Sequence, residues 1–294
     1  MSPVRVGFVG FGEVASIFSR PMVESGAQVV AYDILLEQEG GRETLHKRVR
    51  AQGIQFRPLP EMVVNVDYVL SAVTTQVARE VAQDCVPYLK PGQVYVDLNS
   101  TAPSVKVDIA EIVAPSGADF VEGAILGAVG ATGVGTRIFL GGKRSQVVAE
   151  TLCRLGLNVT PYSLEVGKAS TFKMLRSVFS KGLEALLLEF LIAGKRAGIE
   201  RDLWEEITGL MKRHPFDRTA TNWIQTHAVA YERRYYEMVQ VAETMRHIGV
   251  EPVMTAGTEA FFRRSLSLGL GDTFAEKPGS MDKVIDFMDK RLEQ

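Results

Sequence analysis

Residues 4–33 read VRVGFVGFGEVASIFSRPMVESGAQVVAYD. Val4 to Val9 is an apolar run of strand length, Glu13 to Ser25 has helical apolar spacing, and Gln28 to Asp33 is a second β-branched run. The stretch therefore predicts a strand–helix–strand unit with parallel strands. Between the first strand and the helix lies Gly10-x-Gly12-x-x-Ala15. Gly10 permits a tight turn, Gly12 lets a backbone approach a pyrophosphate, and the small Ala15 lets helix and strand pack closely. The mouth of the helix offers free N–H groups and a positive dipole end to phosphates, so Phe11, Glu13 and Val14 join the glycines as candidate cofactor positions. Asp33 ends the second strand, 23 residues after Gly10. There a carboxylate accepts hydrogen bonds from ribose hydroxyls and repels a 2′-phosphate, and Ile34 and Leu35 follow it instead of an arginine. The pattern points to NAD in preference to NADP. A purely structural glycine turn, and an Asp33 that only caps a turn, are the plainer alternatives.

Alternation of this kind continues to about residue 160. Strands are predicted at Asp67 to Thr74, Gln93 to Leu98, a short pair at Phe120 to Ile125 and Arg137 to Leu140, and Leu157 to Tyr162. Helices are predicted at Gln76 to Leu89, Ser104 to Ala114 and Lys143 to Leu155. This is the signature of a mostly parallel sheet, in which ligands bind outside the carboxyl ends of the strands. Val73, Thr74 and Gln76, in SAVTTQVA, are placed to line a nicotinamide, with a plain connecting loop as the alternative. In DLNSTAPS the candidates are Asn99 for cofactor and Ser100 and Thr101 for substrate; a hydroxyl capping the Pro103-started helix is the bland reading. Seven glycines between Gly123 and Gly142 suit either hairpin turns or backbone that holds a carboxylate, Gly123 being the position of interest.

From Gly167 the pattern turns to helices only: Lys168 to Ala197, Asp202 to Arg213, Thr226 to Ile248, Pro252 to Leu268 and Ser280 to Glu293. No Pro- or Gly/Ser-rich linker separates the halves, and the boundary falls near Ser163 to Gly167. The chain of 294 residues carries 33 Lys and Arg against 35 Asp and Glu. A net charge of −2 gives no general reason to expect nucleic acid or an anionic membrane as partner. Cys85 and Cys153 suggest neither a disulfide framework nor a metal site, and His46, His214 and His247 have no metal-ligand spacing, so no metal is expected. The first residues carry no secretion signal and no run of apolar residues is long enough to span a membrane, which together predict a cytoplasmic protein.

The first all-helical segment, KASTFKMLRSVFSKGLEALLLE from Lys168 to Glu189, sets Phe172, Leu175, Val178, Phe179, Leu183, Leu186 and Phe190 on a wide apolar face. Opposite runs a polar stripe of Lys173, Arg176, Ser177, Ser180 and Lys181 that stops after three turns. A solvated stripe has no reason to stop. The first turns are therefore expected beside the strand ends that hold a nicotinamide, where desolvation depresses the pKa of Lys173 towards the range of proton transfer; a snorkelling surface lysine is the alternative. Arg176 or Lys181 could neutralise a substrate carboxylate. The turns from Leu183 to Ala193 are too apolar for a helix with one exposed face, which predicts a homodimer or higher homo-oligomer built through the helical half.

Four stretches in order, VGFVGFGEVA, DLNSTAP, GAILGAVG and GKASTFKMLRS, resemble the β-hydroxyacid dehydrogenase superfamily, which includes 6-phosphogluconate dehydrogenase and 3-hydroxyisobutyrate dehydrogenase. The resemblance spans essentially the whole chain. It implies an α/β Rossmann domain over residues 1–164, followed by an all-α domain over 165–294 that usually dimerises through its helices. It also implies a general acid/base lysine, Lys173 by the motif. Ser177 stands where the family commonly has a substrate-touching asparagine, and Glu122-Gly123-Ala124, with Gly127 after it, replaces the usual Ser-Gly-Gly loop. FKMLRSVFSKGLEALLLE and ERRYYEMVQVAETMRHIGVEP resemble a divergent branch with a phosphogluconate dehydrogenase-like C-terminal domain, in which the lysine at 181 belongs to the motif.

The expected activity is interconversion of a small β-hydroxy acid, or a related hydroxy compound bearing an anion, and its keto form. Ser100, Thr101, Gly123, Ser177 and Lys181 would orient the substrate, with Arg234 on a later amphipathic helix, and His227 near it, as further candidates. A carbonyl or imine reductase using the same lysine, and a dinucleotide-binding protein without turnover, are the alternatives.

Overall fold

The computed structural model of the chain describes residues 2–292. Among them eight strands form one sheet in the order β3-β2-β1-β4-β5-β6-β7-β8. They are β1 (Arg5–Val9), β2 (Gln28–Tyr32), β3 (Gln55–Phe56), β4 (Tyr68–Ser71), β5 (Val94–Asp97), β6 (Asp119–Ile125), β7 (Ile138–Gly141) and β8 (Val159–Ser163). The first six run parallel. Strand β7 turns back antiparallel to β6, and β8 runs parallel to β7. The order 3-2-1-4-5-6 is that of the Rossmann fold, in which the strand order reverses beside β1 and opens a crevice at the carboxyl ends of β1 and β4.

Seven helices connect these strands: α1 (Glu13–Glu24), α2 (Gly41–Arg48), α3 (Leu59–Val64), α4 (Ala78–Cys85), α5 (Pro103–Val113), α6 (Val129–Thr132) and α7 (Ser145–Arg154). Strands covered by helices on both faces must bury both sets of side chains. Accordingly Phe8 of β1, Leu70 of β4 and Val96 of β5 enter one core, with Phe18 and Leu152. Their neighbours Val9, Val69 and Tyr95 enter the other, with Met62 and Ile109. Burying a side chain of the size of Leu70 contributes roughly 1.5–3 kcal/mol, and Leu70→Ala would cost about 2–5 kcal/mol. Gly7 lets α3 lie against β1, since a Cβ there would run into Met62.

Besides the one-turn α6, three elements of this half escape the sequence pattern. Strand β3 has only two residues, α2 buries only Gly41 and Leu45, and α3 begins after Pro58 and contains Pro60. Compact units divide after Val178, later than the 164/165 boundary read from the change of pattern. The first turns of the helix α8 (Lys168–Ala197) account for the difference, because Ala169 and Phe172 pack with Ala124 and Phe139 of the sheet.

The unit from Phe179 onward contains the rest of α8, α9 (Glu200–Arg213), α10 (Phe216–His247), α11 (Val253–Leu266), α12 (Leu270–Thr273) and α13 (Met281–Leu292). Helix α10 starts after Pro215, well before the expected Thr226. Glu293, the expected end of the last helix, lies outside the described residues. The lone acid in the apolar part of α8, Glu189, caps α11: its carboxylate accepts from Met254 N at 2.7 Å and from Thr255 N and Oγ1 at 2.9 and 2.7 Å. Partial burial pushes this carboxyl up, but the hydrogen bonds outweigh it and hold the group below its ordinary value. The apolar face expected to be core is largely bare within one chain, with Leu175, Val178 and Phe179 exposed by 65, 71 and 56%. Helical periodicity marks a face that wants cover without saying which molecule supplies it.

His227 in α10 is buried at 7% exposure, its Nε2 3.0 Å from Ser265 Oγ of α11. Burial, with the nearby charge of Arg234, pushes its imidazole from the ordinary 6.5 down to about 4. The unfolded chain then binds a proton over a range in which the folded chain does not. Stability present above about pH 6.5 should therefore be lost as the pH falls towards 4. The melting temperature should drop between about pH 7 and pH 5, and His227→Gln should flatten that slope. An equally steep slope in the variant would remove His227 as the cause.

Candidate functional site

The turn after β1 is built for a backbone approach. Gly10 has φ of +84°, and a Cβ there would stand 2.6 Å from the Ala72 carbonyl oxygen. Gly12 is the N-cap of α1 with no side chain capping the first turn, and a Cβ placed on it would meet nothing within 4 Å. Ala15 is fully buried, as close helix–strand packing requires. The open space before uncapped N–H groups fits the phosphates of a dinucleotide. Phe11 contributes backbone only: its ring is in the core, edge-on to Phe56, and its amide donates to Asp33 Oδ2 at 2.7 Å. The Leu35 amide donates to Asp33 Oδ1 at 3.0 Å, so Asp33 does cap the following turn. Each carboxylate oxygen keeps a second lone pair that a ribose hydroxyl can use.

A cavity of about 460 Å³ opens at the carboxyl ends of the central strands. Glu13 and Val14 line it from α1, residues 72–76 from the loop after β4, and Leu98, Asn99 and Ser100 from the loop after β5. Ile125, Gly127, Ala128 and Val129 close it beyond β6, and Lys173 enters from α8. A hollow of about 530 Å³ in the helical unit is larger but almost wholly aliphatic, and its Glu189 is spent on capping α11. The chemistry converges at the strand ends, where the fold places ligands.

Lys173 is half-buried and its Nζ donates to Ser100 Oγ. Burial, aided by the like charge of Lys106, pushes its ammonium from 10.5 down to about 8. Glu122, buried in β6, ties the start of α8 to the sheet. Its Oε1 accepts from Gly167 N and Ala169 N at 2.6 and 3.1 Å, and its Oε2 from Ser170 N and Oγ at 3.2 and 2.5 Å. Negative charge at a helix N-terminus is favourable. An acid within the apolar run DFVEGAI is the signal that sequence offers for Glu122. The Asn99 amide braces two loops: its Oδ1 accepts from Val73 N at 2.7 Å, and its Nδ2 donates to Ser71 Oγ at 2.9 Å and to Asp97.

Other expected positions fall elsewhere. Glu122-Gly123-Ala124 lies in β6, within the strand expected at Phe120 to Ile125, and so does not form a substrate loop; Gly123 pairs with Leu140, and a Cβ on it would stand 2.5 Å from Leu98. The cavity meets this segment at Gly127, whose φ is +145°. Thr101 is buried with no partner for its hydroxyl and is not among the lining residues. Ser177 Oγ donates to the Lys173 carbonyl at 3.0 Å, an exchange within the helix. In the helical unit Lys181 is 79% exposed and 3.9 Å from Glu184, and Arg234 donates to Trp223 O and Thr226 Oγ1 of its own helix.

Residues 5–162 match the NAD binding domain of 6-phosphogluconate dehydrogenase, and residues 195–265 match a domain of unknown function, DUF1932. The chain belongs to the 6-phosphogluconate dehydrogenase-like superfamily of β-hydroxyacid dehydrogenases. A 28.5 kDa uncharacterised protein of Methanothermus fervidus is 27% identical, covering 88% of the chain and 98% of its own length. A 2-(hydroxymethyl)glutarate dehydrogenase of Eubacterium barkeri is 22% identical, covering 91% of each. Among solved structures, a conserved protein of unknown function, described as similar to 3-hydroxyacid dehydrogenases, is 31% identical with a TM-score of 0.62, covering 89% of the chain and 96% of its own. An imine reductase variant from Myxococcus stipitatus, solved with NAD+, shares the fold with a TM-score of 0.76 at 14% identity, covering 98% of the chain and all of its own. The family supports a nicotinamide dinucleotide as cofactor of this dehydrogenase-like protein. Among the described residues no helix is long and apolar enough to cross a membrane.

The two glycines of the turn should separate by experiment. Gly10→Ala meets backbone in a strained conformation and should cost roughly 1–3 kcal/mol of stability. Gly12→Val enters open space and should leave the melting temperature nearly unchanged while NADH affinity, measured by fluorescence titration, falls at least about tenfold. Undiminished NADH binding by Gly12→Val would remove this turn as the phosphate site.

Proposed function

We propose that this protein is an NAD(P)-dependent oxidoreductase that interconverts a small β-hydroxy acid, or a related hydroxy compound bearing an anion, and its keto form. NAD is preferred, because the Asp33 carboxylate at the end of β2 repels a 2′-phosphate. The observation that carries the reading is Lys173, half-buried with a depressed pKa and bonded to Ser100 in the cavity beside the Gly10–Gly12 turn. The Eubacterium barkeri relative supports the substrate class by its name, which describes a β-hydroxy acid.

A nicotinamide dinucleotide held along the turn supplies the hydride chemistry. Lys173 moves the proton. In oxidation its neutral amine takes the hydroxyl proton as the carbinol hydrogen leaves as hydride; in reduction its ammonium returns a proton to the carbonyl oxygen. Ser100 Oγ, in contact with Nζ, orients the substrate hydroxyl, and Thr74 and Gln76 supply further polar groups to the cavity. Leu98, Ile125 and Val129 keep water from the reacting atoms. Reduction of another carbonyl or of an imine uses the same proton donor, and the imine reductase fold likeness keeps it as the second reading.

Assayed in both directions against β-hydroxy acids, aldehydes and imines, the protein should oxidise a hydroxy acid. Its kcat/KM should rise with pH through about 8 as Lys173 loses its proton, and the reductive rate should fall over the same range. Lys173→Met should lower turnover about 10²- to 10⁴-fold with NADH affinity kept. A loss below about tenfold would show that Lys173 is not the acid/base, and tight NADH binding without any hydride transfer would favour a non-catalytic role.

The protein is further proposed to work as a homodimer joined through its helical half. Leu183 and Leu186 on one side of α8, and Leu188 and Ile192 on the other, are exposed by 40, 43, 57 and 50% in one chain, bare apolar surface of the kind that isologous contacts bury. Sedimentation at micromolar concentration should give the dimer mass, and Leu188→Glu with Ile192→Glu should give a monomer; a monomeric unaltered protein contradicts the assembly.

A further inference from the structure

Lys106 and Asp97 form an ion pair in which neither side chain exposes any surface. Lys106 lies in the first turns of α5, and its ammonium spends all three donors: on Asp97 Oδ2 at 2.8 Å, Asp97 O at 2.9 Å and Asn99 O at 2.6 Å. The second oxygen of Asp97 accepts from the Asn99 amide N–H at 3.1 Å and from its side chain. Asn99 in turn holds Ser71 at the end of β4 and Val73 of the loop after it. The next residue is Ser100, whose hydroxyl receives Lys173.

Stability alone is a poor reason for this arrangement. Burying an ammonium and a carboxylate costs several kcal/mol each, and well-packed apolar residues of similar volume are often as stable or more so. An apolar side chain, however, cannot bond two main-chain carbonyls at a bend. Nor can it set a charge beside a second lysine. We propose that Lys106 is a positioning residue for the candidate active site: its ammonium holds the Asn99–Ser100 bend so that the Ser100 hydroxyl meets Lys173, and it stands behind that hydroxyl as a positive charge. The proposal rests on the reading of Lys173 as the acid/base.

Of the ionisable groups on the elements packed about the cavity, Glu13 of α1 lines it with Lys173, while Asp97 of β5, Lys106 of α5 and Glu122 of β6 are buried. Asp97 is bonded to Lys106, and Glu122 to the first turn of α8. Burial is the larger cause of the low value of Lys173, and the like charge of Lys106 adds to it.

The test is competitive acetylation of the whole protein with acetic anhydride across pH, followed by mass spectrometry of the peptide that holds Lys173. It needs no substrate, so a failure to find turnover leaves its outcome intact. The unaltered protein should label with a half-point near pH 8. Lys106→Met with Asp97→Asn removes both charges without stranding either, and should move the half-point upward. Lys106→Arg keeps the charge and should keep the half-point low. A folded double variant with an unmoved half-point, or an Arg variant shifted as far as the double variant, overturns the proposal. Should the double variant not fold, Lys106→Gln decides: it removes the positive charge while keeping an N–H donor for the bend, so the half-point should move upward, and an unmoved half-point overturns the proposal.

Discussion

The Glu122 carboxylate, buried in the sheet and saturated by the first turn of α8, is the constraint on which the site depends. Apart from Glu13 on α1, the other polar groups at the cavity rise from segments that directly follow strands, and their positions are inherited from the sheet. Lys173 alone arrives on a helix that begins after the last strand. Without an anchor, the start of a long helix frays or swings, because its first N–H groups lack partners. Glu122 supplies those partners from inside the core, and Ala169 and Phe172 pack onto Ala124 and Phe139 beside it. The lysine is thereby held against Ser100.

The site thus combines two kinds of burial. Apolar residues of two cores hold the strands, and their cost is only conformational entropy. Behind the cavity the buried groups are polar or charged: Asp97, Asn99, Lys106, Ser71 and Glu122. Networks of this kind hold one geometry when every member is bonded, and these members are bonded to one another or to main chain at strand ends. Rigid surroundings of low polarity are also what bring a lysine within reach of neutral pH.

Much of this was legible in the residues. Short apolar and β-branched runs located seven strands, because central parallel strands are apolar on both faces, and the Gly10, Gly12 and Ala15 spacing located the turn because each position tolerates so few side chains. The two-residue β3 and the polar α2 carried too little apolar periodicity to be seen. Among the candidate site residues, Ser100, Thr74, Gln76 and Lys173 line the cavity. Gly123 was taken for a binding loop because glycine density does not separate a turn from close packing inside a strand, which is its use against Leu98. Thr101 and Ser100 are indistinguishable in sequence, and only the direction of the chain after β5 points one hydroxyl into the cavity and the other into the core.

The sequence by itself determined the sheet half, the helical half, the nucleotide turn and the lysine whose polar stripe ends too soon, since these rest on local spacing and on the conformational limits of glycine. Tertiary structure alone decided what the buried acids and the second lysine do. Glu122, Asp97 and Lys106 look like ordinary charges in an amphipathic pattern, yet their partners lie 45, 9 and 7 residues away. Hydrogen bonds across such separations exist only once the sheet has brought the strand ends together, and no local spacing announces them.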